Sequence, residues 1–281
     1  MILVTGATGT VGRQLVTQLA AAGQQVRALS RTPERAGLPP GVEVVAGDLG
    51  RPESLPPALK GTERVFLLSG GPEGPAHDAS LIAAARQAGV RHVVTLSVLG
   101  AGYGADDPIT RWHLAGEQTV MDSGMAWTIL RPGAFMSNAL MWAPSVKAQG
   151  VVYAPFARAR TAAVDPADIA AVAARALTQS GHEARIYPLT GPELLSAVDQ
   201  VEMIGDALGR PLRMVDVPAE AARAGMVDSG MPAGLADAVI ASMAQAGSDH
   251  AMAVLKTVEE VTGCPARSFA EWTTAHLQAF V

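Results

Sequence analysis

The sequence predicts an α/β chain built on a doubly wound parallel sheet, with a smaller, mainly helical C-terminal lobe. Three observations carry this. Short apolar runs alternate with amphipathic stretches through the first half of the 281 residues, the rhythm of repeated strand–helix–strand units. The first of these runs breaks into three glycines, Gly6, Gly9 and Gly12, just where a helical pattern opens. Beyond Gly133 the rhythm changes, and from Glu193 onward helical spacing dominates.

Taken in order, strands are expected at residues 2–5, 25–30, 42–46, 65–69 and 92–97, each a short run rich in β-branched and apolar side chains. Between them Val11, Leu15, Val16 and Leu19 share one helix face, and residues 81–88 form a second apolar stripe. A sixth strand at 128–130 is expected to stop at Arg131-Pro132-Gly133. Residues 135–146 then read as a helix and 151–153 as a short strand. Asp165-Pro166-Ala167-Asp168 starts a helix running to 177, because aspartate caps and proline fits the first turn. A strand at 185–189 closes at Thr190-Gly191-Pro192, and 212–217 is the one strand-like piece in the remainder. The expected organisation is a sheet unit over 1–134 to which 159–191 return, and a lobe over 192–281 to which 135–158 contribute.

A net charge of −5, with lysine only at Lys60, Lys147 and Lys256, leaves no basic stripe for nucleic acid or an anionic membrane surface. The single cysteine, Cys264, cannot form an internal disulfide, and the chain enters a strand at once instead of a basic leader. A cytoplasmic address is therefore expected. No apolar stretch approaches the length of a membrane span, and no metal site is expected. The spacing says nothing about oligomeric state.

The glycine turn carries the chemistry. A buried strand that turns sharply into a helix presents free backbone N–H groups and the positive end of the helix dipole, which suits a pyrophosphate. The loop reads G-x-x-G-x-x-G, a variant of the dinucleotide turn of Rossmann domains, so Gly6, Thr8, Gly9, Thr10, Val11 and Gly12 are expected to hold a dinucleotide. The second strand ends Ser30-Arg31-Thr32 with no acid, and a guanidinium there suits the extra phosphate of NADP, with Ser30 beside it. Arg13 and Arg35 are further candidate cations. Asp48 and Leu49, after the third strand, are placed for the adenine, although Asp48 could equally serve as a cap or loop acid. Ser69 and Gly70, after the fourth strand, are placed under the adenosine ribose.

The glycine loop, the Arg31 ending, Gly47-Asp48-Leu49, Thr95-Leu96-Ser97 and Leu130-Arg131-Pro132-Gly133 together make the chain resemble the atypical short-chain dehydrogenases/reductases. It looks most similar to their NmrA-like branch, which includes NADPH-dependent quinone oxidoreductases of type 2, and to atypical polyketide ketoreductases. The resemblance implies NADP(H), a Rossmann domain with a lobe over the nicotinamide, and hydride transfer to a carbonyl or quinone. It assigns Ser97 to the substrate carbonyl. The usual Tyr-x-x-x-Lys pair is absent, since four residues after Tyr103, Tyr153 and Tyr187 stand Asp107, Ala157 and Gly191. His113 and Glu117 share one helix face in the segment where that pair belongs, and His113 is the second candidate catalytic residue. A quinone, or a polycyclic ketone with a neighbouring phenol, lessens the need for a protein acid. A small aromatic acceptor is therefore expected, against Phe135, Met136, Asn138, Trp142, Tyr153 and Met226. Two alternatives stay open: a regulator that senses NADP(H) without turning it over, and an NADP-dependent isomerase or epimerase.

Overall fold

The computed structural model describes residues 1–245, 247 and 252–281. In chain order the first elements are β1 (Ile2–Val4), α1 (Thr10–Ala21), β2 (Val26–Ser30), β3 (Glu43–Ala46), α2 (Leu55–Leu59), β4 (Arg64–Leu67) and α3 (Gly74–Gln87). They continue with β5 (His92–Leu96), α4 (Pro108–Met121), β6 (Ala126–Pro132), α5 (Ala143–Gln149), β7 (Val151–Ala154), β8 (Arg160–Thr161), α6 (Pro166–Thr178) and β9 (Arg185–Leu189). The last are β10 (Leu195–Ser196), α7 (Ala197–Leu208), β11 (Arg213–Asp216), α8 (Ala219–Asp228), α9 (Ala233–Met243), α10 (Thr257–Thr262) and α11 (Phe269–His276).

Seven strands form one parallel sheet in the order β3-β2-β1-β4-β5-β6-β9. The predicted fold class is the observed one. Because successive strand residues face opposite sides, Ile2 and Val4 join α1 and α6 in one core, while Leu3 joins α2 and α3 in the other. Val11, Leu15, Val16 and Leu19 are all buried against α6, as their spacing requires. The strand order reverses between β1 and β4, which opens a crevice at their carboxyl ends. Thr5 fastens that point: its hydroxyl accepts from the Leu68 N–H at 2.8 Å and donates toward the Leu68 carbonyl at 3.1 Å.

A third core lies outside the sheet, where Met136, Val146, Val152, Val201, Ile204, Phe269, Trp272 and Phe280 pack together. Two small sheets support it, parallel β7–β11 and antiparallel β8–β10. The chain crosses tightly where this region meets the main sheet: the Gly191 N–H donates to the Ala162 carbonyl at 3.0 Å, and a Cβ on Gly191 would stand 1.9 Å from the Ala163 oxygen. Among the described residues no helix is long and apolar enough to cross a membrane.

Three local expectations are corrected. Strand β6 does not stop at Leu130 but runs on through Pro132, because Arg131 and Pro132 still pair with Pro188 and Leu189 of β9. The helix expected over 135–146 is a 3₁₀ segment, Met136–Trp142, followed by α5, with Pro144 in the first turn of the new helix. The fourth strand, expected at residues 65–69, spans Arg64–Leu67, and Leu68 and Ser69 lie in the loop beyond it.

Helices α3 and α4 approach closely because Gly116 carries no side chain; a Cβ there would stand 2.3 Å from Oδ2 of Asp78. Asp78 is itself buried, and its Oδ1 has no hydrogen-bond partner among the described residues. Burial pushes this carboxyl above the ordinary carboxylate range, with the Ser69 hydroxyl pulling weakly the other way. With the folded pKa above the unfolded one, the unfolded chain releases the proton first as pH rises, so Asp78 lowers stability progressively above the ordinary aspartate value. Replacing Asp78→Asn should therefore raise Tm near pH 8, and thermal melts should show the gain shrinking toward about pH 4.

Candidate active site

The carboxyl edge of the sheet gathers most of the sequence-predicted residues. Gly6 adopts φ +58°, a conformation that favours glycine, and turns the chain out of β1. Gly12 has the stricter requirement: a Cβ on it would stand 2.1 Å from the Gly6 carbonyl oxygen, so helix and turn touch backbone to backbone. Gly9 is the N-cap of α1, offers no capping side chain, and no acid follows in the first turn. The first turn of the helix thus carries no negative charge of its own against its free N–H groups. Gly6, Thr8, Gly9 and Thr10 are exposed, whereas Val11 and Gly12 are buried and act through backbone and packing. Thr8, Gly9, Thr10 and Arg13 border a cleft of about 290 Å³ that is also lined by Leu140, Asp165 and Trp272. A cradle that any side chain would fill, at an uncapped helix start, fits a dinucleotide pyrophosphate.

The adenosine side is shaped by the loops after β2, β3 and β4. Ser30 is buried and its hydroxyl accepts from the Thr32 N–H at 3.1 Å, a turn that leaves Arg31 exposed at the strand's end. Arg13 does not reach outward: its guanidinium donates to the carbonyls of Gly37 at 2.6 Å and Ala36 at 3.0 Å, binding the loop after β2 to α1. Arg35 is exposed. Asp48 Oδ1 accepts from the Gly50 N–H at 3.0 Å, so one carboxylate oxygen shapes its own loop, and Leu49 packs on the core beside β3. Ser69 is half-buried beside the exposed Gly70.

On the other side of the switch point stand Ser97, just past β5, His113 and Glu117 on α4, and Arg131 near the end of β6. Glu117 is 2 % exposed, and its carboxylate accepts from Arg131 Nε at 2.8 Å, from Arg131 Nη2 at 2.6 Å and from the Ser97 hydroxyl. The Ser97 hydroxyl proton is thus engaged by a buried carboxylate, and the residue is 3 % exposed. Burial pulls His113 below the ordinary histidine range, against weaker upward pulls from Glu117, the Leu96 carbonyl and Asp107. The lowered pKa favours the neutral ring, which carries one N–H donor and one lone pair.

The expected substrate contacts are dispersed. Met136 is 1 % exposed and packs inside the third core. Phe135 and Trp142 are half-buried against core clusters, Asn138 is exposed, and Tyr153 is exposed with its hydroxyl 3.3 Å from the Gln149 side-chain oxygen. Met226 lies half-buried on α8. Sequence reasoning missed the acid–guanidinium pair, since Arg131 and Glu117 lie fourteen positions apart with no local pattern joining them. Replacing Gly12→Ala should abolish dinucleotide binding in fluorescence titrations and lower Tm, as no rotamer can relieve a clash with backbone.

A family model described as NAD(P)H-binding matches residues 6–180. The (4-alkanoyl-5-oxo-2,5-dihydrofuran-3-yl)methyl phosphate reductase of Streptomyces griseus is 45 % identical over 282 residues, spanning 100 % of this chain and 99 % of that protein. The NAD(P)H azoreductase of Xenophilus azovorans is 43 % identical over 283 residues, with 100 % and 99 % covered. Among solved structures, the NADPH complex of an NADPH-dependent quinone oxidoreductase from Escherichia coli superposes with a TM-score of 0.85 at 28 % identity, over 99 % of this chain and 100 % of that one. With the glycine cradle, the uncapped helix and full-length similarity to reductases, the chain belongs to the NAD(P)H-binding family and is an NAD(P)H-dependent oxidoreductase.

Proposed function

We propose that the protein is an NADPH-dependent reductase of a bulky, conjugated carbonyl acceptor, a quinone or the ketone of a polycyclic polyketide. The observation that carries this reading is the state of the four polar side chains at the end of β5 and β6. Glu117 is locked to Arg131 and Ser97, and burial favours the neutral form of His113, so no side chain among them is poised as an acid at neutral pH. NADPH when bound supplies hydride. What these residues provide is a fixed cation and a dry floor, which serve an acceptor whose negative charge after reduction is spread by resonance. An isolated aliphatic ketone yields a strongly basic alkoxide that needs a proton in the same step, and this site has none placed to give. The reductases that share this chain's full length act, by their names, on an alkanoyl-furanone phosphate, on azo compounds and on quinones. A conjugated electrophile is common to the three.

In this reading residues 6–12 hold the pyrophosphate, Arg31 and Ser30 the extra phosphate, and Asp48, Leu49, Ser69 and Gly70 the adenosine. Phe135, Asn138, Trp142, Tyr153 and Met226 are the candidate walls for the acceptor.

Two measurements test it. NADPH consumption with a panel of acceptors should be rapid with quinones and conjugated aromatic ketones and at least about a hundredfold slower with simple aliphatic ketones, the size of a general-acid contribution. Equal rates on both classes would overturn the reading. Arg31→Ala should weaken NADPH about ten- to a hundredfold, as expected for one charge-assisted phosphate contact, while NADH affinity stays the same. An equal loss for both coenzymes would remove Arg31 from that role.

A further inference from the structure

Arg131 uses two of its three guanidinium nitrogens on Glu117. The third, Nη1, makes no hydrogen bond among the described residues, and it lies beside Gly102: a Cβ placed on that glycine would stand 3.2 Å from it. Gly102 is exposed, while the Arg131 side chain is 15 % exposed. The missing side chain at 102 is therefore a window through which solvent, or a ligand, meets Nη1. In the cluster of Ser97, Glu117 and Arg131, the Ser97 hydroxyl and both oxygens of Glu117 are engaged, and Nη1 is the one guanidinium nitrogen without a hydrogen bond among the described residues. We propose that Nη1 of Arg131, reached past Gly102, is the catalytic donor that receives the oxyanion formed on the acceptor, an inference that rests on the reductase reading above.

The geometry suits this role. A guanidinium is a planar fork, and gripping two of its nitrogens in a buried carboxylate fixes the direction of the third. Such a donor needs no reorganisation when charge appears, which is where electrostatic stabilisation is most effective. The pair with Glu117 is neutral overall and so accommodates an acceptor that arrives uncharged. Glu117 also raises the guanidinium's pKa, so Arg131 stays protonated throughout. The balance is then complete. Two electrons and one proton pass from NADPH as hydride, the carbonyl π pair moves onto oxygen, NADP+ remains, and water supplies the second proton to the oxyanion. Glu117 and Ser97 are positioning residues in this scheme.

The test uses 4-nitrophenol, whose yellow anion imitates the reduced oxygen and reports its own ionisation. Wild-type protein should bind the anion and lower the probe's apparent pKa. Arg131→Gln should abolish that shift, and Gly102→Val, which covers Nη1 without touching the ion pair, should weaken binding at least about tenfold. In both variants kcat/KM for a quinone should fall about ten- to a hundredfold, the loss expected of one transition-state donor, while KM for NADPH is unchanged. If Arg131→Gln fails to fold, Gly102→Val decides alone, with circular dichroism and Tm confirming its fold. Undiminished probe binding and turnover in Gly102→Val would overturn the inference and leave the reductase reading intact. Failure of wild-type protein to bind the anion would likewise overturn it. A wild-type protein that reduces no quinone or conjugated ketone would instead sink the reading on which it rests.

Discussion

The buried carboxylate of Glu117 is where three elements of the sheet unit meet: α4 carries it, Ser97 after β5 donates to it, and Arg131 in β6 grips it at two points. An ion pair taken out of water gains little net stability, because desolvation offsets much of the attraction, yet removing one partner leaves a buried charge at a cost of about 3–5 kcal/mol. Its value here is therefore positional. It ties α4 to the loop after β5 and to β6, and it fixes the Arg131 guanidinium in one orientation.

The opposite half of the crevice rests on a different constraint, the contact of Gly12 with the Gly6 carbonyl. Here shape does the work and charge is left to the ligand. The two halves divide the labour of a dinucleotide site: backbone and helix dipole on one side of the switch point, fixed side-chain charge on the other. The third core stands against this edge through the close crossing at Gly191 and Ala163 and through α11, whose Trp272 borders the cleft at the glycine loop.

The sheet was legible because each of its strands is short, apolar and followed by a turn, and because α1 and α6 show one buried face. Glycine spacing located the cradle for the same reason: a missing side chain is a direct statement about backbone approach. What the sequence hid were relations between distant residues. Arg131 reads as part of a strand-stopping tripeptide, and only its pairing with β9 shows that Arg131-Pro132 stays in the sheet. Met136 looks like a ligand-facing methionine, whereas the fold carries it into the core with Phe269 and Trp272, more than a hundred positions later in the chain. The two-residue strands β8 and β10 are too short to show a period at all.

The link from Arg13 to the carbonyls of Ala36 and Gly37 has a consequence for how coenzyme is recognised. It anchors the segment downstream of Arg31 to the first turns of α1 before any partner arrives, so the loss of loop freedom is met during folding and not during association. A pocket ordered in advance spends less of its contact energy on restraint, which favours tight capture from dilute solution. A substitution in this loop would consequently act on a braced frame, where a single changed charge is felt without the surrounding backbone relaxing to soften it.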